Sequence, residues 1–263
     1  MISPDIAKID IWCVHVDSCI QANLMATYAS LLSHEERARN QRFVFERDRQ
    51  VDLVARALVR TVLGRRMDVS PKILCFDVTS RGKPKLASQF DAEENISFNL
   101  THCNNLVMLA VASGRSVGID VEYTNNNCPF EVIDHCFTNK EVADLYDLPA
   151  EKRVERFWAL WKLKEALVKS SGHGLMVPLN WFCFNYDKIN GGISLRVLEK
   201  IQNQDLHRPW RFYQWRPSTG YLTALCIEAH EEEEILIMAH DMVPLVRERR
   251  IAVCFTSVSK NTC

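Results

Sequence analysis

The chain has 263 residues, 47% of them hydrophobic and 25% charged, with a formal net charge of −1; that is enough to bury a sizeable core in one large domain or two of ordinary size. Near-neutrality excludes a global cationic field for nucleic acid, so any basic site has to be local. The start, MISPDIAKID, lacks the basic flank and apolar core of a signal peptide, and no apolar run approaches the ~20 residues of a membrane helix. None of the 10 cysteines falls in a C-x-x-C pair, and several lie inside apolar runs, such as Cys75 in ILCF and Cys226 in ALCIEA. They read as thiols of a reducing compartment rather than disulfides or zinc ligands, which sets the cytosol as the expected location.

In chain order, IDIWCVHV (residues 9–16) alternates as a half-buried strand does. Ser33 and Glu36 form a capping box that starts a helix through RARNQRFVFERD, with a bend near Phe45, and apolar positions from Val51 to Val62 carry it toward Gly64. Arg37, Arg39 and Arg42 at the start of that helix read as surface partners of Glu35 and Glu36. KILCFDV, ISFNL, LVMLAVAS and SVGIDVEY are successive strand candidates, and Gly114 and Gly118 flank a plausible seam. Residues 125–139 suit either an exposed docking loop presenting Phe130, Val132 and Ile133, or a short helix packed on a second lobe. Thr138 and Glu141 repeat the capping box, and Pro149 opens a helix that ends near Gly172 and puts Trp158, Leu160 and Trp161 into the core. WFCFNY, GISLRVLE, RFYQW, YLTALCIEA and EILIMAH return to strand, while HEEEE at 230–234 is a solvated acidic turn. This order predicts α+β or two lobes rather than regular β-α-β alternation.

Three carboxylates carry the chemistry. Asp120 and Glu122 alternate in SVGIDVEY and so share a strand face, while Glu165 and Lys169 share a helix face one turn apart. A carboxylate that follows Val117, Gly118 and Ile119 in a buried strand needs a cation or donors. Hard oxygens from two elements beside a lysine suit a Mg²⁺ ion that also binds phosphate, provided Glu165 converges on the strand. The bland alternative is a solvated strand end and ordinary Glu–Lys pairing. In RGKPKL, a turn at Gly82 and Pro84 with Arg81, Lys83 and Lys85 suits an anion held by backbone N–H groups and flanking cations, or else a basic turn facing solvent. Thr101 and His102 end a strand where a hydroxyl and an imidazole serve a second phosphate or a strand-end hydrogen bond. Ser170, Ser171 and His173 come without a nucleophile elbow or oxyanion loop, so no triad is expected. Together these features point to metal-assisted chemistry on a phosphate ester or diphosphate.

GKP, FNLTH, GIDVE and W-x-x-K-E-x-x-x-K, in that order, resemble the Sfp-type class of 4′-phosphopantetheinyl transferases over roughly residues 9–240. QRFVFERD, FTNKE and VCFT are most similar to the eukaryotic members linked to aminoadipate-semialdehyde dehydrogenase. The resemblance implies an α+β fold of two similar lobes forming an intramolecular pseudo-dimer. The implied division is an N-terminal lobe with the coenzyme A loop (1–116), a second lobe with the acids (117–245), and a tail without assigned role (246–263). It implies Mg²⁺ on Asp120, Glu122 and Glu165, with Glu165 and Lys169 catalytic and Glu165 the candidate proton acceptor. It also implies coenzyme A contacts from Arg39, Arg81, Gly82, Lys83, Pro84, Lys85, Thr101, His102 and Lys169. The implied activity is Mg²⁺-dependent transfer of 4′-phosphopantetheine from coenzyme A to a carrier-protein serine by a monomer, releasing adenosine 3′,5′-bisphosphate. The expected carriers are of the fatty-acid synthase or aminoadipate reductase type. The alternatives are a metal-dependent phosphodiesterase and a catalytically silent module that binds coenzyme A or carrier protein.

Overall fold

Alternating apolar residues bury Ile9 and Ile11 on one face of the first strand, β1 (Ile6–His15), and Trp12 and Val14 on the other. The computed structural model describes residues 6–90, 95–125, 127–172, 174, 177–187, 192–198, 203–230 and 232–259. His173 and Glu231, which belong to the Ser/His group and the acidic turn singled out above, lie outside the described residues. After β1 come α1 (Ala22–Leu31), α2 (His34–Asn40), α3 (Glu46–Arg66), β2 (Phe76–Val78), β3 (Pro84–Leu86), β4 (Ile96–Cys103), β5 (Leu106–Ser113) and β6 (Val117–Tyr123). They are followed by α4 (Ile133–Cys136), α5 (Asn139–Tyr146), α6 (Ala150–Ser171), β7 (Phe182–Tyr186), β8 (Ile193–Val197), β9 (Trp210–Trp215), β10 (Tyr221–Glu228), β11 (Glu234–Val243), β12 (Arg247–Ile251) and β13 (Phe255–Val258).

Both capping boxes close, Ser33 with Glu36 at α2 and Thr138 with Glu141 at α5. The helix expected to run on from Ser33 is instead two: α2 ends at Asn40, and Phe45, in extended backbone, caps α3. Asn40 holds this corner by donating Nδ2 to Arg49 O and Asp52 Oδ2, each at 2.9 Å. Glu36 is not a partner of the arginines on its own helix. It accepts from the buried Arg60 of α3 at 2.6 Å, and Arg60 also donates to Pro71 O and Leu74 O, so a buried guanidinium leaves its charge compensated.

Two sheets carry the architecture, ordered β12-β11-β1-β5-β4 and β13-β9-β10-β6. Each lobe has a sheet and one long helix: α3, of 21 residues, packs on the first sheet, and α6, of 22, on the second. A third apolar cluster, with Ile11, Met108, Ile119 and Leu225, fills the space between the sheets. The two similar lobes thus meet sheet to sheet with a helix on each outer face, an α+β arrangement. The chain does not divide as simply: β11 returns to pair in parallel with β1, β12 extends the same sheet, and β13 joins the other. The stretch after residue 245 therefore forms strands in both lobes.

In the segment 125–139 the apolar residues Phe130, Val132, Ile133 and Phe137 pack rather than protrude. Ile133 is 1% exposed, and Phe130 and Phe137 both lie against Phe157 of α6, which corrects the docking-loop expectation. The apolar residues of that segment cap the second lobe's core, where burial outweighs exposure. Among the described residues no helix is long and apolar enough to cross a membrane.

Candidate active site

The edges of the two sheets meet at β4 and β6. An edge strand leaves N–H groups that need acceptors, and β4 supplies them from side chains: Asn99 Oδ1 accepts from Ile119 N at 2.8 Å and Thr101 Oγ1 from Val121 N at 3.4 Å. On the other side, α6 runs hard against β6. A Cβ on Gly118 would lie 2.2 Å from Ala166 O and 2.4 Å from Ser170 N, so glycine permits the approach. That contact brings Lys162, Glu165 and Lys169, on one stripe of α6, to the Asp-x-Glu of β6.

Asp120 is the centre of the cluster and only 6% exposed. Its Oδ1 accepts from Lys169 Nζ at 2.6 Å and from Thr101 Oγ1 at 3.0 Å, and its Oδ2 lies 2.5 Å from Lys162 Nζ. Burial alone would raise its carboxyl, but the Lys169 and Lys162 charges outweigh burial and hold it below the ordinary value. Lys162 also reaches Glu122 Oε2 at 3.3 Å, and Cys103 Sγ donates to Glu122 Oε1 at 3.1 Å. Burial and the Glu122 contact push the Cys103 thiol up to about 12, so it stays protonated. Burial and the Asp120 charge raise the Glu165 carboxyl, against the pull of Lys162 and Lys169.

Among the described residues no three acid, histidine or cysteine side chains are gathered as a metal cage. Asp120 and Glu165 nevertheless fit a hard divalent cation. Glu165 has no hydrogen bond or ion pair among the described residues, and a cation beside it and Asp120 would offset the burial and the Asp120 repulsion that raise it. Glu122 is engaged by Lys162 and joins such a site only if that lysine moves.

The remaining residues singled out from the sequence divide into two groups. His102 is exposed at the end of β4 and lines a hollow of about 640 Å³ with Arg39, Arg47 and Arg56 and with Asp48 and Asp52; Arg47 pairs with Asp17 and Arg56 with Asp52. Partial burial and the Lys169 charge hold its imidazole below the ordinary value. Arg56 and Leu100 continue into a smaller hollow walled by Pro84, Phe76 and Phe98. The rest of the RGKPKL turn looks elsewhere. Lys83 Nζ donates to Val117 O at 3.1 Å and Ser170 O at 3.2 Å, at the C-terminal end of α6, and burial pulls its pKa down to about 8. Arg81 pairs with Asp205 at 3.2 Å, and Lys85 is exposed. The N–H groups of Gly82 (φ +84°) and Lys83 donate to Thr79, so the turn spends its own donors internally. The expected backbone cradle at these two amides is not present.

Two family models match the chain in succession. The model described as 4′-phosphopantetheinyl transferase, N-terminal, covers residues 20–114, and that of the 4′-phosphopantetheinyl transferase superfamily covers residues 116–226. The 4′-phosphopantetheinyl transferase HetI of Nostoc sp. is 34% identical over 169 residues, 64% of this chain and 70% of that protein. This chain belongs to the 4′-phosphopantetheinyl transferase family. The phosphopantetheinyl transferase Sfp of Bacillus subtilis is 27% identical over 233 residues, 88% of this chain and 98% of its own. The L-aminoadipate-semialdehyde dehydrogenase-phosphopantetheinyl transferase of Rattus norvegicus is 31% identical over 203 residues, 73% of this chain and 66% of its own.

Within this phosphopantetheinyl transferase, several site residues were not singled out from the sequence. Lys162 precedes Glu165 by three positions on the same helix face, and that spacing was a usable signal. Asn99 and Cys103 alternate with Thr101 on β4, a period-2 relation that follows once Thr101 is placed. Arg47 and Arg56 join Arg39 only through the α2–α3 corner, where the sequence pointed to a bend near Phe45 but not to its direction.

Proposed function

We propose that this transferase moves the 4′-phosphopantetheine group of coenzyme A onto a serine hydroxyl of a carrier-protein domain at the β4–β6 seam, with Asp120 and Glu165 holding Mg²⁺. The observation that supports the reading is the hold of Lys169 and Thr101 on Asp120, with Glu165 within reach of the Asp120 charge, beside the arginine-bearing hollow at His102. Mg²⁺, when bound, supplies charge neutralisation at the diphosphate. Lys169 sits at the open side of the cluster, 28% exposed along its side chain, and offers a point charge to the same phosphate oxygens. Glu165, which has no other hydrogen bond or ion pair among the described residues, accepts the serine proton. Thr101 fixes the orientation of Asp120. Arg39, Arg47, Arg56 and His102 receive the phosphates of the adenosine end, and Pro84, Phe76 and Phe98 wall the space for its ring. Arg81, Gly82, Lys83 and Lys85 keep the turn that carries Pro84 in place, with Lys83 anchoring it to α6.

The carriers are of the fatty-acid synthase or aminoadipate reductase type. The protein acts as a monomer in the cytosol, a location that suits the free thiols of its described cysteines. The test incubates wild type, Asp120→Asn and Glu165→Gln with coenzyme A, Mg²⁺ and an apo carrier, and weighs the carrier. Wild type adds one phosphopantetheine, and each variant loses about 10²–10³-fold in kcat with coenzyme A binding retained. Cleavage of coenzyme A with an unmodified carrier would instead establish a phosphodiesterase. A protein that binds coenzyme A without turning it over would be a binding module.

A further inference from the structure

Lys162 is a buried cation to which the transfer scheme gives no task. It is 4% exposed, and its ammonium lies 2.5 Å from Asp120 Oδ2 and 3.3 Å from Glu122 Oε2, above the ring of Trp158. Asp120 and Glu122 sit on the same face of β6, where two carboxylates repel each other unless a positive charge lies between them. Lys162 supplies that charge from the facing helix.

The position is also the one a metal would need. A Mg²⁺ ion binds a carboxylate oxygen at about 2.0–2.1 Å, and Asp120 Oδ2 already has the Lys162 nitrogen at 2.5 Å. Two cations on one carboxylate oxygen repel each other and compete for its charge. The other oxygen, Oδ1, already accepts from Lys169 and Thr101. The backbone of α6 cannot withdraw without opening its contact with Gly118, so the Lys162 side chain is the part left to yield.

We propose that Lys162 is a resident counter-ion that competes with the divalent cation for Asp120 and Glu122, and thereby sets how much metal the site demands. This rests on the metal-assisted transferase reading. In the metal-free protein Lys162 holds the two acids together, so the site stays assembled without the ion. Metal binding replaces one cation by another and spends part of its affinity on the exchange.

The experiment measures Mn²⁺ binding to the full chain by the loss of its free electron-paramagnetic-resonance signal. Lys162→Met is expected to bind Mn²⁺ at least tenfold more tightly than wild type, and adding Asp120→Asn is expected to abolish the gain. Lys162→Arg, which keeps the charge, is expected to retain the weak binding of wild type. A lysine with only a structural role would change thermal stability and leave Mn²⁺ affinity unchanged or lower. Equal or weaker Mn²⁺ binding in folded Lys162→Met overturns the proposal; if that variant does not fold, Lys162→Gln is judged by the same criterion. Carrier modification by wild type is scored in parallel. A wild type that transfers, with no gain in affinity in the variant, overturns the competition alone, whereas a wild type that does not transfer overturns the reading beneath it.

Discussion

Replacing Gly118 by alanine tests whether the contact between β6 and α6 sets the geometry of the site. The added Cβ would stand 2.2 Å from Ala166 O, 2.4 Å from Ser170 N and 2.9 Å from Ser170 Cα, whereas ordinary contact begins near 3.4 Å. All three atoms are backbone, so no side-chain rotation relieves the overlap and truncating Ala166 does not help. The helix must retreat by about 1 Å, carrying Lys162, Glu165 and Lys169 away from Asp120. Overpacking of this kind costs about 1–3 kcal/mol, and a misplacement of about 1 Å can cost on the order of 10²-fold in rate. Urea unfolding reads the first quantity, and the rate of carrier modification under saturating coenzyme A reads the second. The reasoning predicts that rate falls further than stability accounts for, because the variant still folds at the assay temperature. A Gly118→Ala protein with a urea midpoint and kcat close to wild type would refute it.

Lys164 and Glu141 form an ion pair at 2.9 Å with neither side chain exposed, and Lys164 also donates to Leu179 O and Phe182 O. Lys164→Met is expected to cost about 3–5 kcal/mol by leaving the Glu141 charge buried and unpaired, with much of the loss recovered in Lys164→Met/Glu141→Leu; equal urea midpoints for wild type and the single variant would refute this. Burial pulls the Lys83 pKa down to about 8, below the about 10.4 of an unfolded lysine, so between those values the unfolded chain holds the extra proton and stability rises with pH. Wild type is therefore expected to gain on the order of 1 kcal/mol relative to Lys83→Met between pH 7.5 and 9.5, read as the difference of their urea unfolding curves; a flat or falling difference contradicts the assignment.

Strand and helix periodicities made legible that Asp120 and Glu122 share one face and Glu165 and Lys169 another, whereas the meeting of the two faces depends on the close approach at Gly118, which periodicity does not carry. The capping boxes were legible for the same local reason. What the letters did not carry was partner choice across the fold. Lys83 reads as a phosphate-facing cation by its place in RGKP, yet its ammonium is taken by Val117 O and Ser170 O. Lys164, the fixed lysine of the W-x-x-K-E pattern, sits in the core against Glu141, while Lys162, at one of its variable positions, reaches the acids. The return of β11 to β1 depends on a distant contact, which no window of adjacent residues contains.

The parallel pairing of β1 with β11 joins Ile6 to Glu234 and Cys13 to Asp241, and that has a consequence for how the protein is made. During synthesis the first sheet cannot be completed when its own lobe has emerged, since one neighbour of β1 is still to be translated. Until then β1 presents an open row of N–H and C=O groups to other nascent chains. The closing strand is also a distant one, so its pairing comes at a high loop-closure cost and late in folding. A fragment ending near residue 116 would carry that open edge permanently. The N-terminal lobe therefore cannot close its own sheet, and β11, far along the chain, is the strand that completes it.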